Sequence, residues 1–114
     1  MIGKVRPGSS SSQVVVYWGK PDLSIALRDS RLLAVYLHRE SSQGEGITYT
    51  HLVGRMLWYT SNGQVSDSRS SNSKDEYQRM CQFVTCCKKL LKDVTHDFQE
   101  TCWPIVSDFM KRQP

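Results

Sequence analysis

Two different hydrophobic periodicities divide this chain near residue 73. Before that point, short β-branched and aromatic segments alternate with turn-forming Gly, Pro, Asn and Ser, as in antiparallel sheets. From Ser73 onward, apolar residues recur every three or four positions, as on one face of an α-helix. The order predicts an α+β fold, in which a small antiparallel sheet of about five to six strands is closed by a long C-terminal helix.

Six segments of the first part have the composition of strands, namely residues 13–18, 23–28, 31–39, 47–53, 56–60 and 64–68. Asn62 and Gly63 both tolerate positive φ and predict a two-residue type I′ hairpin turn. Residues 1–12 include four consecutive serines, lack periodicity and are predicted to be a flexible leader. Residues 13–114 are then expected to form one domain, with the sheet in residues 13–72.

The second part has clear helix signals. Ser73 and Glu76 fit a capping box, in which the serine hydroxyl accepts from the backbone N–H three residues later. One apolar stripe follows, formed by Tyr77, Met80, Val84, Cys87, Leu91, Val94 and Phe98. Pro104 lacks an N–H and disfavours helix for the residue before it. We therefore expect a long helix over residues 73–103 and a short terminal helix over residues 104–112, with Ile105, Val106 and Phe109 facing inward.

All four cysteines, Cys81, Cys86, Cys87 and Cys102, fall in the helical part. Secreted disulfide scaffolds tie separate loops together, so this distribution predicts reduced thiols and an intracellular protein, cytoplasmic or nuclear. His96 adds a further metal ligand type to this region. On one straight helix, however, Cys81 and Cys102 would lie about 30 Å apart, too far to share an ion. We predict no metal site and no other cofactor.

Motifs of catalysis and of membrane insertion are missing from the sequence. It has no G-x-S-x-G elbow, no P-loop and no G-x-G-x-x-G motif. The apolar run of residues 32–37 is far shorter than the roughly 20 residues of a membrane span. We therefore expect a protein that is not an enzyme and does not insert into a membrane.

A nucleic-acid-binding domain is the alternative that the composition leaves open. The formal net charge is +4. The first part contains six strand aromatics and four arginines that suit this role, namely Tyr17, Trp18, Tyr36, Tyr49, Trp58 and Tyr59 with Arg28, Arg31, Arg39 and Arg55. Aromatic side chains on a sheet face can stack bases, and nearby arginines neutralise phosphate. The positive charge is dispersed, however, and no segment reproduces a known RNA-binding motif.

A protein–protein interaction module is the function that we predict. One helix stripe covers one sheet face, which leaves other apolar residues available to a partner, unless a kinked C-terminus folds back and covers them. The candidate partner-binding residues are Trp58, Tyr59, Phe83, Leu90 and Trp103. We expect a non-enzymatic adaptor or scaffold subunit of an intracellular complex, in contact with another copy or another protein. In overall layout the expected fold is similar to pleckstrin-homology-like domains and polo boxes, which implies nothing about binding residues.

Overall fold

The computed structural model describes residues 6–27, 29–90 and 101–112. Its helices and strands, in chain order, are α1 Ser11–Trp18, β1 Leu23–Ala26, β2 Leu32–Gly44, β3 Ile47–Tyr59, β4 Val65–Ser70, α2 Lys74–Leu90 and α3 Trp103–Lys111. The strands form an antiparallel sheet in the order β1-β2-β3-β4, each strand pairing with its neighbour in sequence. The prediction of an α+β fold with an antiparallel sheet and a C-terminal helix is confirmed.

The centre of the sheet is one long hairpin of β2 and β3. Their register pairs Leu32 with Tyr59 at one end and Gly44 with Ile47 at the other. The two turn residues, Glu45 and Gly46, have φ values of 51° and 77°. A two-residue turn with both φ values positive matches the right-handed twist of the strands, so pairing continues up to the turn. The segments predicted as two strands, 47–53 and 56–60, are therefore parts of one strand, and residues 40–44, which lie outside the predicted strands, continue β2 up to the turn.

The turn between β3 and β4 contains Asn62 and Gly63, as predicted, but its type is different. Within it, only Gly63 has a positive φ, of 78°. Its N–H donates to the carbonyl of Thr60 at 2.9 Å, and the Thr60 N–H donates to Gln64 at 2.8 Å. Three residues thus separate the last paired positions, with glycine in the left-handed position.

Residues 8–10 add a minimal fifth strand beside β4. The N–H of Gly8 donates to the Val65 carbonyl and the Val65 N–H donates to Ser9, both at 2.8 Å, and Ser10 bridges to Gln64. Counted with this segment, the open sheet has five strands. Residues 1–5 of the predicted leader lie outside the described residues, and the domain boundaries drawn from the sequence remain a prediction.

The predicted first strand, residues 13–18, is instead the helix α1. Its N-terminus has a capping box, in which the Ser10 hydroxyl accepts from the Gln13 N–H at 3.2 Å and the Gln13 side chain accepts from the Ser10 N–H at 3.0 Å. Val14 is fully buried against the sheet, and Trp18 packs edge-on against Tyr36 at 5.2 Å. These contacts override the strand preference of three consecutive valines.

The sheet is covered on both faces. On one face, α2 and α3 enclose the larger core, whose members include Leu33, Val35, Met56, Trp58, Met80, Phe83 and Val106. On the other face, α1 covers a smaller core formed by Val14, Ala34, Tyr36, Leu57, Tyr59 and Val65. Adjacent residues of a strand point to opposite faces, so Trp58 enters the larger core and Tyr59 the smaller one.

The C-terminal part begins as predicted and then departs from the prediction. Ser73 caps α2, since its hydroxyl accepts from the Glu76 N–H at 3.1 Å. A straight helix through residue 103 would separate Cys86 and Cys102 by about 24 Å. Their Cα atoms are 5.3 Å apart and their sulfurs form a disulfide, so α3 folds back beside α2. The predictions of one straight helix and of four reduced thiols are therefore wrong, while Val106 and the half-buried Ile105 and Phe109 do face the core as expected.

Candidate docking edge of the central hairpin

The β2–β3 hairpin extends beyond the strands that flank it. β1 pairs with β2 only as far as Val35, and β4 pairs with β3 only from Arg55 onward. We call residues 39–52, which project past both flanking strands, the hairpin arm. Most side chains of the arm that the structure describes are exposed. A two-stranded ribbon is only marginally stable by itself in water, so both of its edges are potential sites of further pairing.

The backbone groups that face each open edge follow from the hydrogen bonds at the base of the arm. The Val35 carbonyl accepts from the Asp22 N–H at 2.9 Å, so odd-numbered β2 residues point away from β3. The Gly54 carbonyl accepts from the Ser71 N–H at 2.8 Å, so even-numbered β3 residues point away from β2. On the arm, the outward backbone groups of β2 belong to Arg39, Ser41 and Gln43. Those of β3 belong to Thr48, Thr50 and Leu52, and no strand among the described residues pairs with either set.

The two open edges differ in composition. Residues 38–44 of β2 include Arg39 and Glu40 and end in glycine. Residues 47–53 of β3, Ile-Thr-Tyr-Thr-His-Leu-Val, contain no Asp, Glu, Lys, Arg, Gly or Pro. Proteins protect open edges from unwanted pairing with charged residues, prolines or short strands. The β3 edge has none of these protections and consists mainly of strand-forming residues, which is the composition of a strand that pairs on both sides.

A groove of about 590 Å³ lies beside the β3 edge. Its lining includes Leu52 and Val53 of β3, the connection from Ser70 to Ser73, and Lys74, Tyr77 and Gln78 of α2. Gly54 marks the end of the open edge, because its N–H donates to the Ser71 hydroxyl at 3.0 Å. The groove therefore lies where β4 would continue along β3 if the chain did not turn into α2. It offers unpaired backbone groups on one side and space for side chains on the other.

A charged cluster joins the strands at the base of the arm. Arg55 donates from Nε and Nη2 to Glu40 Oε1, with an Nε distance of 3.1 Å, and from Nη1 to the Ser70 hydroxyl at 2.6 Å. His38 Nε2 and His51 Nε2 lie 3.5 and 3.7 Å from the Glu40 carboxylate. The Trp18 ring packs over the Arg55 guanidinium at 5.7 Å. The cluster fixes the arm to β4 and to α1, so the open edge is held in place.

The protonation of this cluster suits a structural role. Burial opposes the ionisation of Glu40, but the hydrogen bonds and charge of Arg55 outweigh it and lower the pKa of the carboxyl group. Burial also lowers the pKa of His38, against the attraction of Glu40. At neutral pH the cluster thus holds an ionised Glu40 beside a neutral His38. The Ser70 hydroxyl accepts a hydrogen bond from Arg55, which does not activate it as a nucleophile.

The structure places the predicted partner-binding residues in two different environments. Trp58, Tyr59 and Phe83 are 2%, 3% and 0% exposed, because helices cover both faces of the sheet. These three side chains form the cores and leave no surface for a partner. Trp103 begins α3 and is 57% exposed, as docking requires. Leu90 is the last residue of α2.

The aromatic residues behind the nucleic-acid alternative do not share one surface. Tyr36, Trp58 and Tyr59 are buried. Of the other aromatic residues in this set, Tyr17 on α1 and Tyr49 on the arm are exposed, while Trp18 packs against Tyr36 and Arg55. Arg55 is bound to Glu40 and Arg31 to Asp29, while Arg28 lies outside the described residues. The part of the chain that the structure describes therefore shows no continuous stacking face.

The described cysteine residues of the helical part do not come together as the ligands of a metal site would. Cys86 and Cys102 form the disulfide, and burial raises the pKa of the free Cys87 thiol to about 11. His96 lies outside the described residues. Over residues 6–27, 29–90 and 101–112 there is no group of three or more side chains able to hold a metal ion. In the same ranges, no helix is both long enough and apolar enough to cross a membrane.

Known proteins supply no assignment for this edge. Comparisons with protein-family models, with curated proteins and with solved structures each give no match. Our sequence interpretation also missed the edge residues Thr48, Thr50 and Leu52. The signal was present as seven consecutive strand-forming residues without a charge, but only pairing shows which edge of that strand is open.

Proposed function

We propose that this chain is a non-enzymatic protein–protein interaction module that binds an extended segment by adding a strand to β3. The observation that carries the proposal is the uncharged open edge of residues 47–53 beside a groove that continues the line of β4. In strand addition, backbone hydrogen bonds provide affinity and side-chain pockets provide specificity. The β3 edge offers backbone groups at three alternate residues, and the groove offers the pocket.

The role of adaptor or scaffold subunit belongs to this proposal, as does an intracellular, cytoplasmic or nuclear, location. Disulfides are uncommon in reducing compartments. An intracellular location therefore requires the bond between Cys86 and Cys102 to resist reduction. Both cysteines are only 4% exposed, which limits the access of a reductant. Trp103 remains a second candidate contact with a partner.

The similarity of layout to pleckstrin-homology-like domains and polo boxes also remains a proposal. Consecutive antiparallel strands followed by a helix support it. The α1 helix, which precedes the sheet and covers its second face, is a feature that this similarity does not account for. The nucleic-acid alternative stays an expectation from composition, and none of the described contacts favours it.

The experiment compares two proline variants in an affinity capture from nuclease-treated extracts of the native cells. Thr50→Pro removes an N–H that faces the open β3 edge, whereas Ser41→Pro removes one that faces the open β2 edge. Ser41 is paired with Thr50 in the hairpin register and its hydroxyl lies 3.4 Å from that of Thr50, so both variants lose the same internal contact. We expect wild type and Ser41→Pro to capture the same protein and Thr50→Pro to lose it.

Hydrogen exchange on the captured complex supplies the second readout. We expect the amides of Thr48, Thr50 and Leu52 to exchange more slowly in the complex than in the free chain, because they become hydrogen-bonded. Equal capture by both proline variants, or unchanged exchange at these amides, would reject strand addition at β3.

A further inference from the structure

The open β3 edge is blocked at one end by the protein itself. The Gly54 carbonyl accepts from the Ser71 N–H at 2.8 Å, and the Gly54 N–H donates to the Ser71 hydroxyl at 3.0 Å. Beyond Gly54, β4 already pairs with β3 from Arg55 onward. A strand added to the open edge therefore cannot continue past Leu52 within the sheet. The added segment must bend out of the sheet at this point or end there.

The hydrogen bonds of a parallel strand would place its last paired residue level with His51. In parallel pairing, a residue level with residue i donates to the carbonyl of residue i−1 and accepts from the N–H of residue i+1. The residue level with His51 thus bonds with Thr50 and Leu52. A residue level with Val53 would need the N–H of Gly54, which is occupied. The carbonyl that accepts from Leu52 is therefore the last one in the ladder.

The groove beside this position carries an uncompensated positive charge. The ionised Glu40 in its lining is paired with Arg55. Lys74 also lines the groove, and it forms no ion pair with any of the described residues. The two carboxylates that follow it, Asp75 and Glu76, belong to the lining of a separate pocket. A ligand that complements the groove therefore brings a negative charge to Lys74.

We propose that the occupant of the β3 edge is the C-terminal segment of a partner protein, which runs parallel to β3 and ends in a carboxylate beside Lys74. One carboxylate oxygen accepts from the Leu52 N–H and the other faces the Lys74 ammonium, as a charge-assisted contact. The opposite direction would bring an N-terminal ammonium against Lys74. A segment that continued would have to bend away at Ser71. This inference rests on the proposed function and names the kind of segment that binds.

A display library tests whether the segment is a chain end. The probe is a set of random heptapeptides fused to the C-terminus of a carrier protein, so that each ends in a free carboxylate. The comparison is the same set fused to the carrier's N-terminus. We expect the full chain to enrich peptides from the C-terminal set only. An enriched peptide is then synthesised as the acid and as the amide, and the amide should bind at least about tenfold more weakly.

Variants of Lys74 test the charge. Lys74→Gln should weaken binding of the acid at least about threefold, whereas Lys74→Arg keeps the charge and should bind like wild type. Lys88→Gln is the matched control, because Lys88 is an exposed lysine in the last turn of the same helix, and it should also bind like wild type. Cooperative urea unfolding of each variant shows that it is folded.

Four results would overturn the inference, namely no enrichment from the C-terminal set, equal enrichment from both sets, an amide that binds as tightly as the acid, and unchanged binding by Lys74→Gln. Strand addition would survive any of these if Thr50→Pro lost a bound peptide or captured protein that Ser41→Pro kept. Equal binding by the two proline variants would instead reject strand addition itself, so the two failures are distinguishable.

Discussion

At the scale of single residues, one glycine sets the distance between the sheet and α2. Gly54 lies in β3 and is buried under the helix. A Cβ atom at this position would overlap Met80 Sδ and would lie 3.4 Å from Met80 Cβ. Met80 is itself only 1% exposed, so its side chain has little room to move away. The absence of a side chain at position 54 is what allows Met80 to pack against the strand.

Gly54→Ala should lower the free energy of unfolding by about 1–3 kcal/mol, the usual cost of overpacking a core. The cost should fall when Met80 is also replaced by alanine, because the overlapping atoms are then removed. Urea unfolding of the single and double variants gives the coupling energy. The control is Gly44→Ala in β2, where an added Cβ meets only Tyr49 at 3.9 Å. Additive costs of Gly54→Ala and Met80→Ala would show that the contact with Met80 is not the reason for glycine.

Residue-level reasoning predicted the facing of the strand residues better than their burial. Adjacent residues of a strand point to opposite faces, and Trp58 and Tyr59 do so. Both are buried, Trp58 under α2 and α3 and Tyr59 under α1. The burial of Tyr59 does not follow from the sequence interpretation, because that interpretation has a strand where α1 lies. An error at one element thus became an error at residues distant in the sequence.

At the scale of elements, a local signal predicts the start of α2, whereas tertiary contacts determine α1 and the position of α3. The Ser73 cap is visible in the sequence and present in the structure. The capping box at Ser10 and Gln13 is equally visible, but it competes with three valines that favour a strand. The burial of Val14 and the packing of Trp18 stabilise the helix over a strand, and neither contact can be predicted from the local sequence. The disulfide is a similar case, since the sequence gives its two cysteines but not the fold-back that brings them together.

A disulfide and an aromatic contact join α3 to α2. Cys86 and Cys102 are 16 residues apart, and Phe83 stacks on Phe109 with ring centroids 4.7 Å apart. Closing a loop of this length restricts the unfolded chain and stabilises the fold by about 3 kcal/mol. Reduction should therefore lower the free energy of unfolding by about that amount. The double variant Cys86→Ala/Cys102→Ala should unfold at the same denaturant concentration with and without reductant.

Thiol counting under non-reducing denaturation checks the bond itself. We expect two of the four cysteines to be alkylated, Cys81 and Cys87, which are free in the structure. Cys81→Ala is the matched control, because it removes a cysteine without breaking the bond, and it should keep the response to reductant. Four alkylated thiols in the unreduced protein would show that the bond does not form.

At the scale of the whole molecule, the sheet separates two cores of different chemistry. The larger core consists mainly of aliphatic, aromatic and sulfur-containing residues, whereas the smaller core under α1 includes two tyrosines, Tyr36 and Tyr59. Burial raises the pKa of Tyr59 to about 12, with a further contribution from Tyr36. Both cores are built on the central strands β2 and β3, so a loss of stability in the smaller one should be transmitted to the entire fold. We therefore expect the Tyr59 phenol to contribute to the change in the free energy of unfolding at alkaline pH.

The sign of this response follows from proton binding. In the unfolded chain Tyr59 ionises near pH 10, but in the folded chain it keeps its proton up to about pH 12. Stability is then fully present below about pH 10 and is lost as the pH rises toward 12, because the unfolded state releases the proton first. At about pH 11 the loss from this group amounts to about 1.4 kcal/mol. Tyr59→Phe removes the titration and should retain that stability relative to wild type.

Urea unfolding of wild type and Tyr59→Phe between neutral pH and about pH 11 measures the difference. Burial also raises the pKa of Cys87, but this thiol is present in both proteins and its contribution cancels. Tyr49→Phe is the control, since Tyr49 lies on the same strand and is 54% exposed, and it should follow wild type. If Tyr59→Phe lost stability in alkali as steeply as wild type, the phenol would not be protected in the folded state. The smaller core under α1 would then be more accessible to solvent than the structure shows.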